Sequence, residues 1–469
     1  MSLSRLWLFL AVALPVLASL LASMSTVDLT YQLRAGAEII ETRSVPSTDS
    51  WTFTAAGQPW VDQQWGTQVV LAAVERIGSW TGLALFRALL TGVIFGALVV
   101  VARRRGLAAR TTALLVLSAF VIAAPALALR PQLLGMACFA LVLLLVADRR
   151  AHPRRLWLVP VVAVVWANLH GSFLLGPLVL GLAWLEDRHD HGPIAAHTLV
   201  LGVVSALAAC LTPFGPWVWA YAVGLSANSE VTARITEWQA TTIRDVSGLL
   251  FFVSVAAVLV LVARRGRATP WPQLAWLAAF AAIGFYAQRG IAWWPLAAFV
   301  AVAGTLVPAG SRPERTEPAL MRRLHLVVAG ALMLTAAALL PLWRPLDPGT
   351  RTPVGVLTEA PPGITAALRD VGRPGDRILN PQIWGSWFEY AIPEAAYAVD
   401  SRIEFFPVDV WRRYEAIVAG SAGWEAQLAA WDPRIVVVKA ASASAAERFE
   451  TLGYALVHED PEGLVMVRP

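Results

Sequence analysis

Long apolar runs recur through the first three-quarters of this chain, and that repetition limits the fold more than any single motif. A helix that crosses a bilayer needs about 20 largely apolar residues, fewer where neighbours shelter its ends. Runs near 5–25, 82–102, 111–129, 131–147, 156–169, 172–185, 195–212, 248–263, 271–288, 291–308 and 324–343 qualify, which gives about eleven spans. The pair within 156–185 is short for two full crossings. Only 15% of the 469 residues are charged and 57% are hydrophobic, whereas soluble domains carry roughly a quarter charged residues. The expected class is a polytopic α-helical membrane protein.

The arginines set an orientation. Arg5, Arg103 to Arg105, Arg149, Arg150, Arg154, Arg155, Arg264, Arg265, Arg267 and the stretch Arg312 to Arg323 fall in loops on one side, the cytoplasmic side by the positive-inside rule. The net charge of +5 is thus explained without nucleic acid, because the cations sit at the ends of apolar runs. Cys138 and Cys210 lie inside apolar runs and form neither a disulfide framework nor a zinc spacing. Residues 1–23 read as a signal anchor in preference to a cleaved signal, since the apolar run is long for the latter. Either way Asp28 lies outside the cytoplasm.

The organisation expected is a membrane domain over 1–343 with a first outer loop at 26–66, a Pro/Thr/Gly-rich linker at 344–362, and a small extracytoplasmic α/β domain at 363–469. In that domain, strand candidates are 377–379, 396–399, 434–438, 455–458 and 463–467, with helices near 384–391, 408–419, 422–431 and 442–452.

Outer-side polar residues are the functional candidates. The loop from Asp28 to Trp65 holds three aspartates and three tryptophans; connections this long tend to be functional or disordered, and its aromatics argue against disorder. Asp28 stands where the first span meets the surface. A carboxylate there can take the proton of an attacking hydroxyl or amine, helped by desolvation; it also suits the N-cap of a helix over Leu29–Glu41. Asp49 reads as a turn residue and Asp62 as the start of an interfacial helix, Asp62–Ile77. Together with Asp28 they offer carboxylates to a divalent cation such as Mg or Mn, although no tight ligand spacing is present.

Arg130 and Arg289 are cations on the arginine-poor side and suit a prenyl-linked phosphate. Asn168 and His170, in a turn between two short helices, either serve a site or satisfy helix-end carbonyls. Glu237-Trp238, in the outer loop Ala227–Asp245, either lines a sugar pocket or anchors the interface. Trp217, Trp219 and Tyr221 read as an interfacial segment. In the terminal domain, Trp384, Asp400 and Arg402 follow strand ends, where α/β units bind ligands. Trp384 offers a face for sugar stacking, while Asp400 and Arg402 either bind hydroxyls or pair with each other.

The stretches Asp28-Leu-Thr-Tyr31-Gln-Leu-Arg34-Ala-Gly36, Val45-Pro46-Ser-Thr-Asp49-Ser-Trp51-Thr-Phe53 and Gly57-Gln-Pro59-Trp60-Val-Asp62-Gln-Gln-Trp65 resemble the first outer loop of the GT-C superfamily, polytopic glycosyltransferases that use polyprenyl-phosphate sugars, and within it the bacterial lipid-linked-sugar branch. Asn168-Leu-His170-Gly171, Thr212-Pro213-Phe214-Gly215 and Gln288-Arg289-Gly290 fit the same order of events. The resemblance implies that Asp28 is the general base or a metal-site carboxylate, and it brings Tyr31 and Arg34 in as binding candidates. It implies glycosyl transfer from a polyprenyl-phosphate or diphosphate donor to an envelope glycan, lipid or protein at the outer face of a bacterial plasma membrane. A Trp-Trp-Asp-type motif is missing, since Trp293-Trp294 is followed by Pro295, which argues against protein N-glycosylation. The competing readings are a transporter or flippase of lipid-linked glycans, which usually shows internal repeats, and a non-catalytic scaffold.

Overall fold

The computed structural model describes residues 1–227, 234–306, 317–440 and 446–469. Part of the loop Ala227–Asp245, the arginines at 312 and 315 and the start of the helix expected at 442–452 lie outside them. The chain forms two compact units: residues 1–22 with 84–340, and residues 23–83 with 341–469.

The first unit is helical. Each expected span contains a helix, beginning with Leu3–Leu21 and ending with Ala319–Ala338. Six helices among the described residues are long and apolar enough to cross a bilayer. The short pair resolves into Leu158–Leu169 and Leu175–His189, with His170 in extended backbone between them. Helix Ala319–Ala338 has no buried residue; it packs on helix Leu3–Leu21 and leaves much apolar surface outward, as a helix facing lipid does. The core centres on Phe139, whose ring meets Trp293 at 5.4 Å and Phe280 at 5.5 Å between centroids. The Trp293 pair is edge-to-face, an arrangement that adds about 0.5–1.5 kcal/mol beyond the buried area.

The expected interfacial helix and second span form one element, Trp65–Arg104, broken at Ser79 (φ 50°, ψ −153°). Positive φ in a residue with a Cβ is costly, so the break separates two helices where the sequence reading placed its gap.

The second unit differs from the expected domain. Its five-stranded sheet has the order β4-β3-β5-β7-β6, built from β3 (Arg377–Leu379), β4 (Ala396–Tyr397), β5 (Ile435–Lys439), β6 (Ala455–Glu459) and β7 (Gly463–Val467). β3 pairs parallel with β4 and β5, and β7 antiparallel with β5 and β6. β5 reads Ile-Val-Val-Val because it is covered on both faces: Val436 and Val438 pack with Trp424 and Phe449, Ile435 and Val437 with Trp387 and Phe388. Runs of β-branched residues are what a doubly covered strand requires.

The outer loop and its helix belong to this unit and not to the membrane domain. β1 (Met24–Ser25) pairs parallel with β2 (Leu357–Thr358), inside the stretch read as a linker. Phe53 donates its amide to the Tyr397 carbonyl at 3.1 Å, and the Tyr397 amide donates to the Trp51 carbonyl at 3.3 Å. The loop thereby closes the open edge of β4, a row of unpaired backbone groups that proteins usually cover. Helix Thr26–Thr42 packs on helix Gln382–Ala391. Gly36 permits a second close approach: a Cβ there would stand 2.0 Å from the Gln68 carbonyl oxygen.

Candidate functional site

Helix Thr26–Thr42 carries the first cluster. Ser25, and not Asp28, is its N-cap, with Oγ accepting from the Val27 amide at 3.4 Å. Asp28 sits in the first turn, half-buried, where the helix dipole favours negative charge. The turn is pinned from several sides. Thr26 Oγ1 donates to the Glu359 carbonyl at 2.8 Å, and the Ser401 hydroxyl donates to the Val27 carbonyl.

One turn on, Tyr31 is buried against Ala35 and Trp51, and its hydroxyl accepts from Gln32 Nε2 at 2.5 Å. Burial pushes the phenol well above its usual range, and the charges of Glu404, Asp28 and Asp62 push it further, opposed by Arg402. Tyr31 therefore lies within electrostatic reach of three carboxylates. Glu404 was not among the sequence candidates; only its place two residues after Arg402 hinted at a role.

Asp62 is 3% exposed. Its Oδ1 accepts from Gln68 Nε2 at 2.7 Å, while Oδ2 is buried with no partner, as are Gln68 Oε1 and Gln32 Oε1. Burial raises its pKa to about 7, against the Gln68 hydrogen bond and the Arg402 charge.

Asp49, Asp400 and Arg402 form a buried ion triad. Arg402 donates from Nη2 to Asp49 Oδ1 at 2.6 Å and to Asp400 Oδ2 at 2.5 Å, and from Nε to Asp400 Oδ2 at 2.9 Å. Its guanidinium lies 4.5 Å from the Trp51 ring centroid, 4.6 Å from Trp60 and 4.8 Å from Phe405. Asp49 also accepts from the Thr52 amide and hydroxyl. Of the two outcomes weighed for Asp400 and Arg402, they pair with each other, and Asp49 is more than a turn residue. Beside them Glu389 is fully buried, with neither carboxyl oxygen hydrogen-bonded. Burial and then the Asp400 charge push its pKa well up.

Two more candidates have structural partners. Arg34 donates to the carbonyls of Glu389 at 2.9 Å and Pro393 at 3.4 Å, tying its helix to the end of helix Gln382–Ala391. Trp384 is 5% exposed and packs in the sheet core, so its faces are not open to a sugar. The sequence reading missed this because the same Trp-Gly-Ser-Trp pattern suits a buried helix.

Among the described residues no three His, Cys, Asp or Glu side chains form a metal-ligating group. Asp49 and Asp400 share the single positive charge of Arg402.

The first unit holds a second cluster. Arg130 ends in extended backbone at the start of helix Pro131–Ala147 and pairs with Glu237 at 2.7 Å. Arg289 lies 4.3 Å over the Trp238 ring, which fixes the plane of its guanidinium. The loop is held against the Arg289 turn by the Gln288 amide donating to the Gln239 carbonyl at 3.0 Å. His170 lies within electrostatic reach of both arginines. Its Nδ1 stands 2.7 Å from Ser172 Oγ, which accepts from Trp166 Nε1 at 3.0 Å; the trio packs against Gly135, where a Cβ would come 2.8 Å from Ser172 Oγ. Asn168 Nδ2 donates to the carbonyls of Val164 and Leu211, the helix-end role. The structure thus gathers Arg130, Glu237, Arg289 and His170, four residues spread over 160 positions of the chain.

With this geometry in view, comparison with solved structures settles the fold. An oligosaccharyltransferase from Archaeoglobus fulgidus in its apo form aligns over 92% of this chain and 69% of its own, with a TM-score of 0.55 at 11% identity. The AglB oligosaccharyltransferase of the same organism, in complex with an inhibitory peptide and a dolichol-phosphate, aligns over 97% and 73% with a TM-score of 0.56, also at 11% identity. The chain has the GT-C fold. No family model and no curated protein matches the sequence, so the likeness is one of architecture.

Proposed function

We propose that the protein is a membrane glycosyltransferase that moves a sugar from a polyprenyl-phosphate or diphosphate donor to an envelope glycan, lipid or protein acceptor. The observation that carries this reading is the half-buried Asp28 in the first turn of its helix, beside Tyr31, Glu404 and Asp62, in a chain with the GT-C fold. The dolichol-phosphate bound by the archaeal neighbour supports a lipid-linked donor here.

In the proposed reaction, the acceptor's oxygen or nitrogen attacks the anomeric carbon and its proton passes to the Asp28 carboxylate. The bond from the anomeric carbon to the phosphate oxygen breaks, and its electron pair leaves with the phosphate. Arg289 and Arg130 are assigned to the carrier phosphate, where guanidiniums offset growing negative charge. The protein is read as residing in a bacterial plasma membrane with the second unit outside the cytoplasm.

The test compares envelope glycans and lipid carriers in cells carrying Asp28→Ala, at wild-type protein levels, with a deletion strain. Loss of one sugar and accumulation of the unglycosylated acceptor in both supports catalysis from this helix. A wild-type profile for Asp28→Ala removes the assignment and leaves the transporter or scaffold reading.

A further inference from the structure

The arginine-bearing ends of the helices in the first unit enclose a cavity of about 270 Å³. This is just under the about 300–1,000 Å³ of drug-sized ligand sites, so it takes a headgroup and not a whole lipid. Val146, Trp276 and Val300, all buried, line it together with Arg105, Arg149, Arg150, Glu186 and Asp190.

Two of the three guanidiniums are matched within the protein. Arg149 donates from Nε to Asp187 Oδ2 and from Nη2 to Glu186 Oε2, both at 2.8 Å. Arg150 reaches Asp187 at 3.0 Å and Asp190 at 2.7 Å. Arg105 is different. It is half-buried, donates to the Val300 carbonyl and forms no ion pair among the described residues. A half-buried guanidinium facing a cavity favours a phosphate, which it can bind with two parallel hydrogen bonds. The Glu186 and Asp190 side chains remain 32% and 47% exposed, so each has oxygen surface for a second donor. Three guanidiniums thus stand among three carboxylates, Asp187 included, and a purely anionic ligand would unbalance the set.

The mouth of the cavity adjoins apolar surface. Pro270 and Pro272 line it, and between and after them Trp271 and Leu274 are 51% and 43% exposed. The Trp271 ring meets His189, another lining residue, at 6.0 Å. A tryptophan at the end of an apolar helix is a membrane-interface anchor, and acyl chains have a surface to follow there.

We propose that this cavity binds a zwitterionic phospholipid headgroup of the phosphoethanolamine type, the phosphate on Arg105 and the primary ammonium between Glu186 and Asp190. The carboxylates turn away anionic headgroups by repulsion, which is how charged sites discriminate, and a quaternary ammonium offers them no N–H.

The test uses delipidated full-length protein in detergent, with native mass spectrometry reading the binding of phosphatidylethanolamine, phosphatidylglycerol and phosphatidylcholine of matched chains, and with inorganic phosphate as competitor. Phosphatidylethanolamine is expected to bind at least about tenfold tighter than either other lipid. Arg105→Gln should weaken it about tenfold or more, the loss of one charged hydrogen-bonding partner. Asp190→Asn, at a surface position, should lower the preference over phosphatidylcholine and carries the test if Arg105→Gln does not fold. Equal binding of the three lipids, or an unchanged preference in Asp190→Asn, overturns the proposal. Displacement of the lipid by millimolar phosphate overturns it in favour of a free-phosphate site.

Discussion

Replacing Asp62 with Asn tests whether this carboxyl is held neutral by its surroundings. Asp62 is almost fully buried, accepts one hydrogen bond from Gln68, and leaves Oδ2 next to no donor. Its pKa rises from 3.8 to about 7. A raised acid pKa means the folded state holds a proton that the unfolded chain has released. Stability from this group is therefore full below about pH 4 and falls as pH rises, levelling off above about pH 7. At about 1.4 kcal/mol per pH unit the climb corresponds to roughly 4 kcal/mol between those limits. Asn keeps the acceptor for Gln68 without bringing a charge. The expected result is a variant of similar or lower Tm than wild type near pH 4.5, and of clearly higher Tm at pH 8. The assay is thermal unfolding of both proteins in the same detergent at half-unit steps of pH. A Tm difference that stays constant across the range would refute the reasoning, because a neutral carboxyl that ionises on unfolding cannot leave it flat.

The buried triad yields a second expectation. Arg402→Met strands Asp49 and Asp400 without their cation and should cost about 3–5 kcal/mol, seen as a lower Tm and faster proteolysis. Adding Asp49→Asn and Asp400→Asn to the same chain should recover much of that loss, since the uncompensated charges go. Gly36→Ala should be severe for so small a change, because its Cβ would meet the Gln68 backbone oxygen at 2.0 Å and a backbone atom cannot swing aside. Loss of folded protein on expression checks it, with Gly78→Ala, which meets nothing within 4 Å, as the control.

Sequence alone determined the features that follow from local chemistry. Apolar runs long enough to span, arginines concentrated in alternate loops, and β-branched strands flanked by amphipathic helices each state their environment within a few residues. The helix expected at 408–419 forms over Val408–Ala419, and the strands at 377–379 and 463–467 form over Arg377–Leu379 and Gly463–Val467, for that reason. Asp28 was noticed because a carboxylate beside an apolar run is conspicuous in one dimension.

Tertiary structure decided what each polar side chain faces. Arg402 and Asp49 are 353 positions apart yet touch at 2.6 Å, and nothing in either neighbourhood announces the pair. Glu389, which was not among the sequence candidates, is fully buried, and Trp384 reads as a stacking platform and is core. The allegiance of the first outer loop was equally hidden: it is fixed by backbone hydrogen bonds to Tyr397, which carry no side-chain signature. Burial and long-range pairing depend on which surfaces meet after the chain has folded, and local composition holds no record of that meeting.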